Sequence, residues 1–164
     1  MRLLDTRRLM GPNHLAPIPL VLVEFGFDHG DTALSAEKAY AKELSRMRTA
    51  LGQDDIAEFV TRAHKGGIVF AYAAPIDTML AHADISEWAG ESACRSLTPE
   101  GPLPLEPQRT LFENTLAAAQ NPRLLALEEA SQRRELPFLW DDTHVSIGLG
   151  RGSITFARDA IPDV

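Results

Sequence analysis

Hydrophobic and polar residues near the start of the chain alternate in a way that predicts two strands joined by a turn. Residues 3–10 predict a short strand that carries several charges. Residues 20–27 are apolar on both alternating faces, which is typical of an inner strand, except at Glu24, which needs a sheet rim or a partner. Between them, Gly11-Pro12 predicts a structural turn that Asn13 can hold by bonding its own backbone.

The pattern then changes to helical spacing. Over residues 32–51, apolar side chains recur every three or four positions. Asp31 or Thr32 can cap this helix, and Gly52 is placed to end it. We therefore predict one helix of about five turns over this stretch.

A shorter helix is predicted to open at residue 54 or 55 and to end at the glycine pair 66–67. Its predicted inward residues are Ile56, Phe59, Val60 and Ala63. Residues 68–73 alternate as a second core strand, and Pro75 predicts the start of a helix that continues to about Leu97. The small residues of that helix form one stripe suited to close packing on a sheet: Ala83, Ser86, Gly90 and Ala93.

The last part of the chain follows a proline-rich link at residues 99–104. Pro107 predicts a third helix, and Asn121-Pro122 pairs a cap residue with proline at the first helical position of a fourth. Strands are predicted at residues 138–140, 145–149 and 153–156, the last two joined as a hairpin. The element order predicts the α+β class: a small mixed or antiparallel sheet covered by helices, with a C-terminal β-hairpin, in a single domain over residues 1–164.

Composition narrows the choice of partners and compartment. The net charge of −7 argues against nucleic acid and against an anionic membrane surface. No apolar run reaches the roughly 18 residues that a membrane helix needs. The single cysteine, Cys94, cannot form an internal disulfide, so we expect a buried thiol in a cytoplasmic protein.

Glycines and histidines offer little catalytic chemistry. Residues 148–152 resemble a phosphate loop, but a strand-like segment follows where a phosphate loop needs a helix, so we interpret Gly148 and Gly150 as structural turn positions. His29, His82 and His144 each stand alone beside carboxylates, without the spacing of a metal site. The sequence therefore predicts no metal site, no catalytic residues and no cofactor in this chain.

Cations near the first turn and the terminal hairpin make the candidate binding site. They are Arg7, Arg8, His14, Arg151 and Arg158, with Asn13 in the same loop. If the first strand and the terminal hairpin are neighbours, these side chains form a basic patch on an acidic protein, which suits a carboxylate-bearing ligand. The alternative is a set of ordinary solvated arginines.

Three stretches of the chain match one family in order. Residues 8–13 read Arg-Leu-Met-Gly-Pro-Asn, residues 68–72 read Ile-Val-Phe-Ala-Tyr, and residues 136–150 end in Leu-Gly. They are similar to the Leu-Arg-Gly-Pro-Asn opening, the Val-Val-Phe-Glu-Tyr strand and the final Leu-Gly-x-Gly strand of one kind of domain. The chain thus resembles, over nearly its whole length, the N-terminal domain of cyanophycin synthetases and related Mur-ligase-like proteins.

The resemblance implies an accessory domain that precedes ATP-grasp and Mur-ligase-like modules and helps to hold a growing peptide polymer. ATP and Mg²⁺ would belong only to those downstream modules. Some family members also cleave polymer with a His-x-x-Glu-His zinc motif, but the comparable stretch here, residues 37–44, has no histidine. The family glutamate of the second strand is Ala71 here, which weakens a polymer-binding assignment.

The sequence thus predicts a non-catalytic accessory domain that holds substrate or polymer, or serves as a scaffold, for an ATP-dependent amino-acid or peptide ligase. The chain would be an excised domain or a stand-alone relative. Its expected partners are ligase modules of the same or a partner chain, a peptide or amino-acid substrate, and a second copy of itself. Two alternatives stay open: a stand-alone small hydrolase that uses Asp and His residues, and a protein-interaction module.

Overall fold

A computed structural model describes residues 1–54, 56 and 59–162, which form an α+β fold with four helices and two antiparallel sheets. The predicted fold class is confirmed. The chain divides into two compact units: unit 1 is Met1–Ala74 with Thr78–Ala119, and unit 2 is Pro75–Asp77 with the residues from Gln120 onward. The single domain over residues 1–164 stays a prediction. Within the described residues, no helix is both long and apolar enough to cross a bilayer.

Unit 1 is built on four antiparallel strands. They are β1 (Arg2–Leu9), β2 (Leu20–Gly26), β3 (Val60–His64) and β4 (Gly67–Tyr72). In space their order is β1-β2-β4-β3, so β1 and β3 are the edges among the described residues. The inner strands β2 and β4 are almost wholly buried, as their apolar patterns predict.

Three helices belong to unit 1. They are α1 (Ala33–Ala50), α2 (Met79–Ser96) and α3 (Gln108–Ala119). The predicted cap of α1 is confirmed, because the backbone N–H of Ser35 donates to Thr32 Oγ1 at 3.1 Å. α2 begins later than Pro75 predicts: its N-cap is Thr78, and its first helical residue is Met79.

Helices α1 and α2 cover one face of this sheet. The rings of Phe25, Tyr40 and Phe70 pack there with centroids 5.5–5.9 Å apart. The small-residue stripe of α2 permits a close approach, since a Cβ on Gly90 would lie 2.9 Å from the side chain of Leu3. The hydrophobic core of unit 1 therefore lies between these helices and the sheet.

The short helix predicted between residues 54 and 66 is wrong over residues 60–64, which form β3. This strand pairs with β4 through a two-residue turn at Lys65-Gly66, and Gly66 has a φ of +95°. Val60 and Thr61 are β-branched and favour the strand, and β4 supplies backbone partners that an isolated short helix would lack. Asp55, one of the two predicted helix starts, lies outside the described residues.

Unit 2 contains a helix and a three-stranded antiparallel sheet. These are α4 (Pro122–Arg133), β5 (Phe138–Trp140), β6 (His144–Ile147) and β7 (Ile154–Ala157), with the strands in the order β5-β6-β7. The predicted cap of α4 is confirmed, because Leu124 N donates to Asn121 Oδ1 at 3.0 Å. A small core holds the unit together: Ile76, Leu124, Leu127, Val145 and Ile161.

The glycine turns differ in what they require. Gly148 and Gly150 have φ values of +83° and +58°, which favour glycine. Gly11 has no such value, and a Cβ there would meet open space. The structure therefore places no requirement for glycine at Gly11, and the side chain of Asn13 bonds across this turn.

Candidate functional site

The face of the unit 1 sheet opposite α1 and α2 carries the candidate site. Arg7, Leu22, Ala71 and Val60 lie in one row across its strands, since each is paired with the next. The loop of residues 10–19 folds over part of this face, where its side chains join a second apolar cluster. That cluster comprises Leu20, Leu22 and Ala71, with Leu9, Leu15, Ala16, Val60 and Val69 packed against them.

A cavity of about 130 Å³ lies on this face. It is lined by Arg7, Leu9, His14, Leu15, Leu22, Arg62 and Val69. The lining combines an aliphatic surface with two guanidinium groups and an imidazole. A cavity of this size can take one amino-acid side chain or a small acid, whereas drug-sized ligands occupy several hundred Å³.

The charges around the cavity are unevenly paired. Arg7 is held by two carboxylates, with Nε 2.9 Å from Asp5 Oδ2 and a terminal nitrogen 3.1 Å from Glu24 Oε2. The second oxygen of Glu24 lies 3.3 Å from Nε2 of His64. Arg62, in contrast, is exposed and makes no ion pair or hydrogen bond within the described part of the chain. Arg62 is therefore the cation best placed to receive an anion.

Asn13 organises the loop that brings His14 to the cavity. Its Nδ2 donates to the carbonyls of Gly11 and Ile18 at 3.0 and 3.1 Å. Its Oδ1 accepts from the backbone N–H of Leu15 and Ala16 at 2.9 and 3.1 Å. Asn13 was predicted both to hold the turn and to bind a ligand, and all four of its side-chain bonds go to the loop.

An Asn13→Ala variant is expected to lose about 1–3 kcal/mol of unfolding free energy, because four loop hydrogen bonds disappear together. Asn13→Asp is the matched control, since it keeps the acceptor for Leu15 and Ala16 but cannot donate to Gly11. We expect an intermediate loss for it. Urea unfolding measures both, and wild-type midpoints for both variants would contradict the role of this side chain.

The predicted cations do not all reach this site. Arg7 and His14 line the cavity. Arg8 belongs to the opposite face of β1, because neighbouring strand residues alternate. There its charge acts on Asp84 of α2, whose pKa is raised by burial and held back by Arg8. Arg7 and Arg8 therefore serve different faces of the sheet.

The remaining predicted cations belong to unit 2. Arg158 is used structurally: its guanidinium donates to the carbonyls of Asp141 and Asp77 at 3.1 and 3.4 Å and lies over the Trp140 ring. Arg151 is exposed in the short turn between β6 and β7. The predicted basic patch requires the first strand and the terminal hairpin to be neighbours. In the structure β1 pairs with β2 and β7 pairs with β6, in different sheets, and the patch stays a prediction.

Sequence reasoning missed Arg62, because its segment was predicted to be helical. The available signal was local: an extended run, Val-Thr-Arg-Ala-His, precedes Lys65-Gly66, and a second extended run follows. Two such runs around a two-residue turn containing glycine predict a hairpin, which puts Arg62 on a strand beside Val69.

A buried polar cluster of unit 1 brings together residue types that could suggest hydrolytic chemistry. Tyr72 OH lies 2.8 Å from Ser86 Oγ, which donates to the backbone carbonyl of His82 at 2.9 Å. Burial raises the pKa of Tyr72 to about 12. A nucleophilic serine needs a base at its hydroxyl, whereas Ser86 bonds a carbonyl and a phenol. The cluster thus ties β4 to α2.

Neither a search for metal-ligand clusters nor comparison with known proteins points to a further site. In residues 1–54, 56 and 59–162, no group of three His, Cys, Asp or Glu side chains is arranged to hold a metal ion. The sequence matches no protein-family model and no curated protein. The resemblance described above therefore rests on the quoted residues alone.

Proposed function

We propose that the chain is a non-catalytic binding domain that holds a carboxylate-bearing peptide or amino acid for an ATP-dependent ligase. The observation that carries the proposal is the exposed Arg62, which has no ion-pair partner among the described residues, beside an aliphatic-lined cavity. The ligase role follows from the family resemblance, with ATP and Mg²⁺ used by ligase modules and not by this chain. We place the domain in the cytoplasm on the basis of its single cysteine.

The cavity suits a ligand with an apolar part and an anionic part. An aliphatic side chain can lie against Leu22 and Val69, while a carboxylate receives charge-assisted hydrogen bonds from Arg62. Arg7 is less available to bind the ligand carboxylate, because it already forms ion pairs with Asp5 and Glu24. A site this small and exposed should bind weakly, on the order of 0.1–1 mM, and more weakly still at high salt.

Titration with N-acetyl-leucine tests the proposal, with N-acetyl-leucinamide as the uncharged matched ligand. NMR shift changes should saturate with the acid and not with the amide. Arg62→Gln should weaken binding about tenfold or more, since a hydrogen bond to a charged group is lost. Lys42→Gln, an exposed charge on α1, is the control and should bind as the wild type does.

The same titration with Arg151→Gln separates two versions of the site. The basic patch predicted from sequence includes Arg151, so that version of the site predicts weaker binding in this variant. The cavity of unit 1 needs only Arg7, His14 and Arg62, so binding should be unchanged. Equal binding by wild type and Arg62→Gln, or no difference between acid and amide, would contradict the proposed site.

The ligase role has a separate test. An ATP-grasp or Mur-ligase-like module in the same or an adjacent reading frame is the expected result. If such a module is found, its rate of amino-acid addition should fall when Arg62 is replaced by Gln. An unchanged rate would leave a binding domain without a role in ligation.

A further inference from the structure

β3 is an open edge of the unit 1 sheet. Among the described residues, it pairs with β4 on one side and with nothing on the other. Thr61, Arg62, Ala63 and His64 are all exposed. We propose that the ligand is an extended acidic peptide that adds to the sheet as a further strand along β3. This inference rests on the proposed function and gives the ligand its class and its binding mode.

Within the described part of the chain, the backbone of β3 has groups without hydrogen-bond partners at two residues. His64 and Gly67 close a two-residue turn, so they form a hydrogen-bonded pair, and the pairs Arg62–Val69 and Val60–Ala71 follow with the same geometry. Thr61 and Ala63 therefore direct their N–H and C=O groups away from β4. An added strand can form its backbone hydrogen bonds there.

The side chains of β3 select an acidic partner. If Thr61 and Ala63 bond the incoming strand, Arg62 faces a peptide residue in a non-hydrogen-bonded pair, where opposing side chains approach most closely. Both Arg62 and His64 lie on the face that carries the cavity. A peptide glutamate opposite Arg62 would thus meet its guanidinium, and a second glutamate two residues away would lie opposite His64, whose Nε2 already has Glu24 at 3.3 Å.

Charge also argues for a peptide over a second copy of the chain. Residues 60–72 contain Arg62, His64 and Lys65 and no acid, within a protein of net charge −7. Pairing β3 with β3 of another copy would bring the Arg62 side chains of the two copies toward each other, and like charges on opposing strands repel. An acidic strand instead gains attraction at the same positions.

The test uses the full chain and an acetylated, amidated peptide, Thr-Glu-Val-Glu-Thr, whose affinity is followed by NMR. Ala63→Pro removes only the outward N–H, because the inward bonds of β3 belong to Val60, Arg62 and His64, and proline is tolerated on edge strands. We expect it to weaken binding about five- to tenfold. Ala63→Val is the matched control. It keeps the N–H and should bind within about twofold of the wild type.

A second arm keeps the test independent of protein folding. The same peptide with N-methyl groups at alternate residues, in both possible phases, should lose binding in the phase whose N–H groups face Thr61 and Ala63. Unchanged binding in Ala63→Pro and in both methylated peptides would overturn the strand proposal. If N-acetyl-leucine binds and the peptide does not, the strand proposal is overturned and the cavity stands. If neither binds, both proposals are overturned.

Discussion

Replacing Arg46 by methionine is expected to lower the unfolding free energy by about 3–5 kcal/mol, because it leaves a buried carboxylate unpaired. The side chain of Glu43 is 1% exposed, and its Oε2 lies 2.6 Å from an Arg46 nitrogen. Ser92 also donates to that oxygen at 2.7 Å. Arg46 further donates to the Leu103 carbonyl at 2.6 Å, so the same group fixes the proline-rich link beside α2. Urea unfolding measures the loss.

Two controls separate this effect from ordinary charge removal. Arg133 pairs with Glu129 at 3.6 Å, and both side chains are mostly exposed. Arg133→Met should therefore cost less than about 1 kcal/mol. A Glu43→Leu/Arg46→Met double variant should be more stable than Arg46→Met, since no buried charge remains. Equal losses in Arg46→Met and Arg133→Met would contradict this account of the pair.

Gly67→Ala is expected to cost about 3 kcal/mol or more, which is large for a single added methyl group. A Cβ at Gly67 would lie 2.2 Å from the carbonyl oxygen of Phe25 on the neighbouring strand. It would also lie 2.7 Å from the His64 ring. The ring can move, but the carbonyl belongs to an inner strand of the sheet, so β2 and β4 must separate. Thermal and urea unfolding should both show the loss.

Gly11→Ala is the matched control for this substitution. A Cβ at Gly11 meets open space, and the residue lacks a positive φ, so its stability should change by less than about 1 kcal/mol in either direction. Similar losses in both variants would show that the close contact with Phe25 is not the cause. A Cβ at Gly67 would also displace the His64 ring, which lies 3.3 Å from Glu24. Ligand titrations with Gly67→Ala therefore test whether the position of His64 affects binding.

The proposed cavity and the proposed strand site use one surface of unit 1. Arg62 projects toward the cavity from β3, while the backbone of Thr61 and Ala63 faces outward from the same strand. A peptide along β3 would therefore place alternate side chains on the face where the cavity opens. On the proposed function, a cavity with room for one side chain would in this way contribute to holding an extended peptide.

Part of the site could be predicted from sequence because its signals are local. The turn near residues 11–14 and the strands before and after it were predicted from local signals, and Arg7 and His14 both line the cavity. The alternation of a strand also implies that Arg7 and Arg8 face opposite sides. Arg62 was missed because residues 60–64 were assigned to a helix, although the extended runs on either side of Lys65-Gly66 carry a local hairpin signal.

Elements whose signals lie within a few residues could be predicted from sequence alone: the strands β1 and β2, the capped helices α1 and α4, and the glycine hairpin of β6 and β7. Caps, turns and periodic apolar faces act locally, so they can be recognised without the fold. The tertiary structure was needed to show that β1 and the terminal hairpin belong to different sheets, and that Arg62 has no ion-pair partner among the described residues. Strand pairing joins residues far apart in the chain, and its free energy depends on which partner edge the rest of the fold presents.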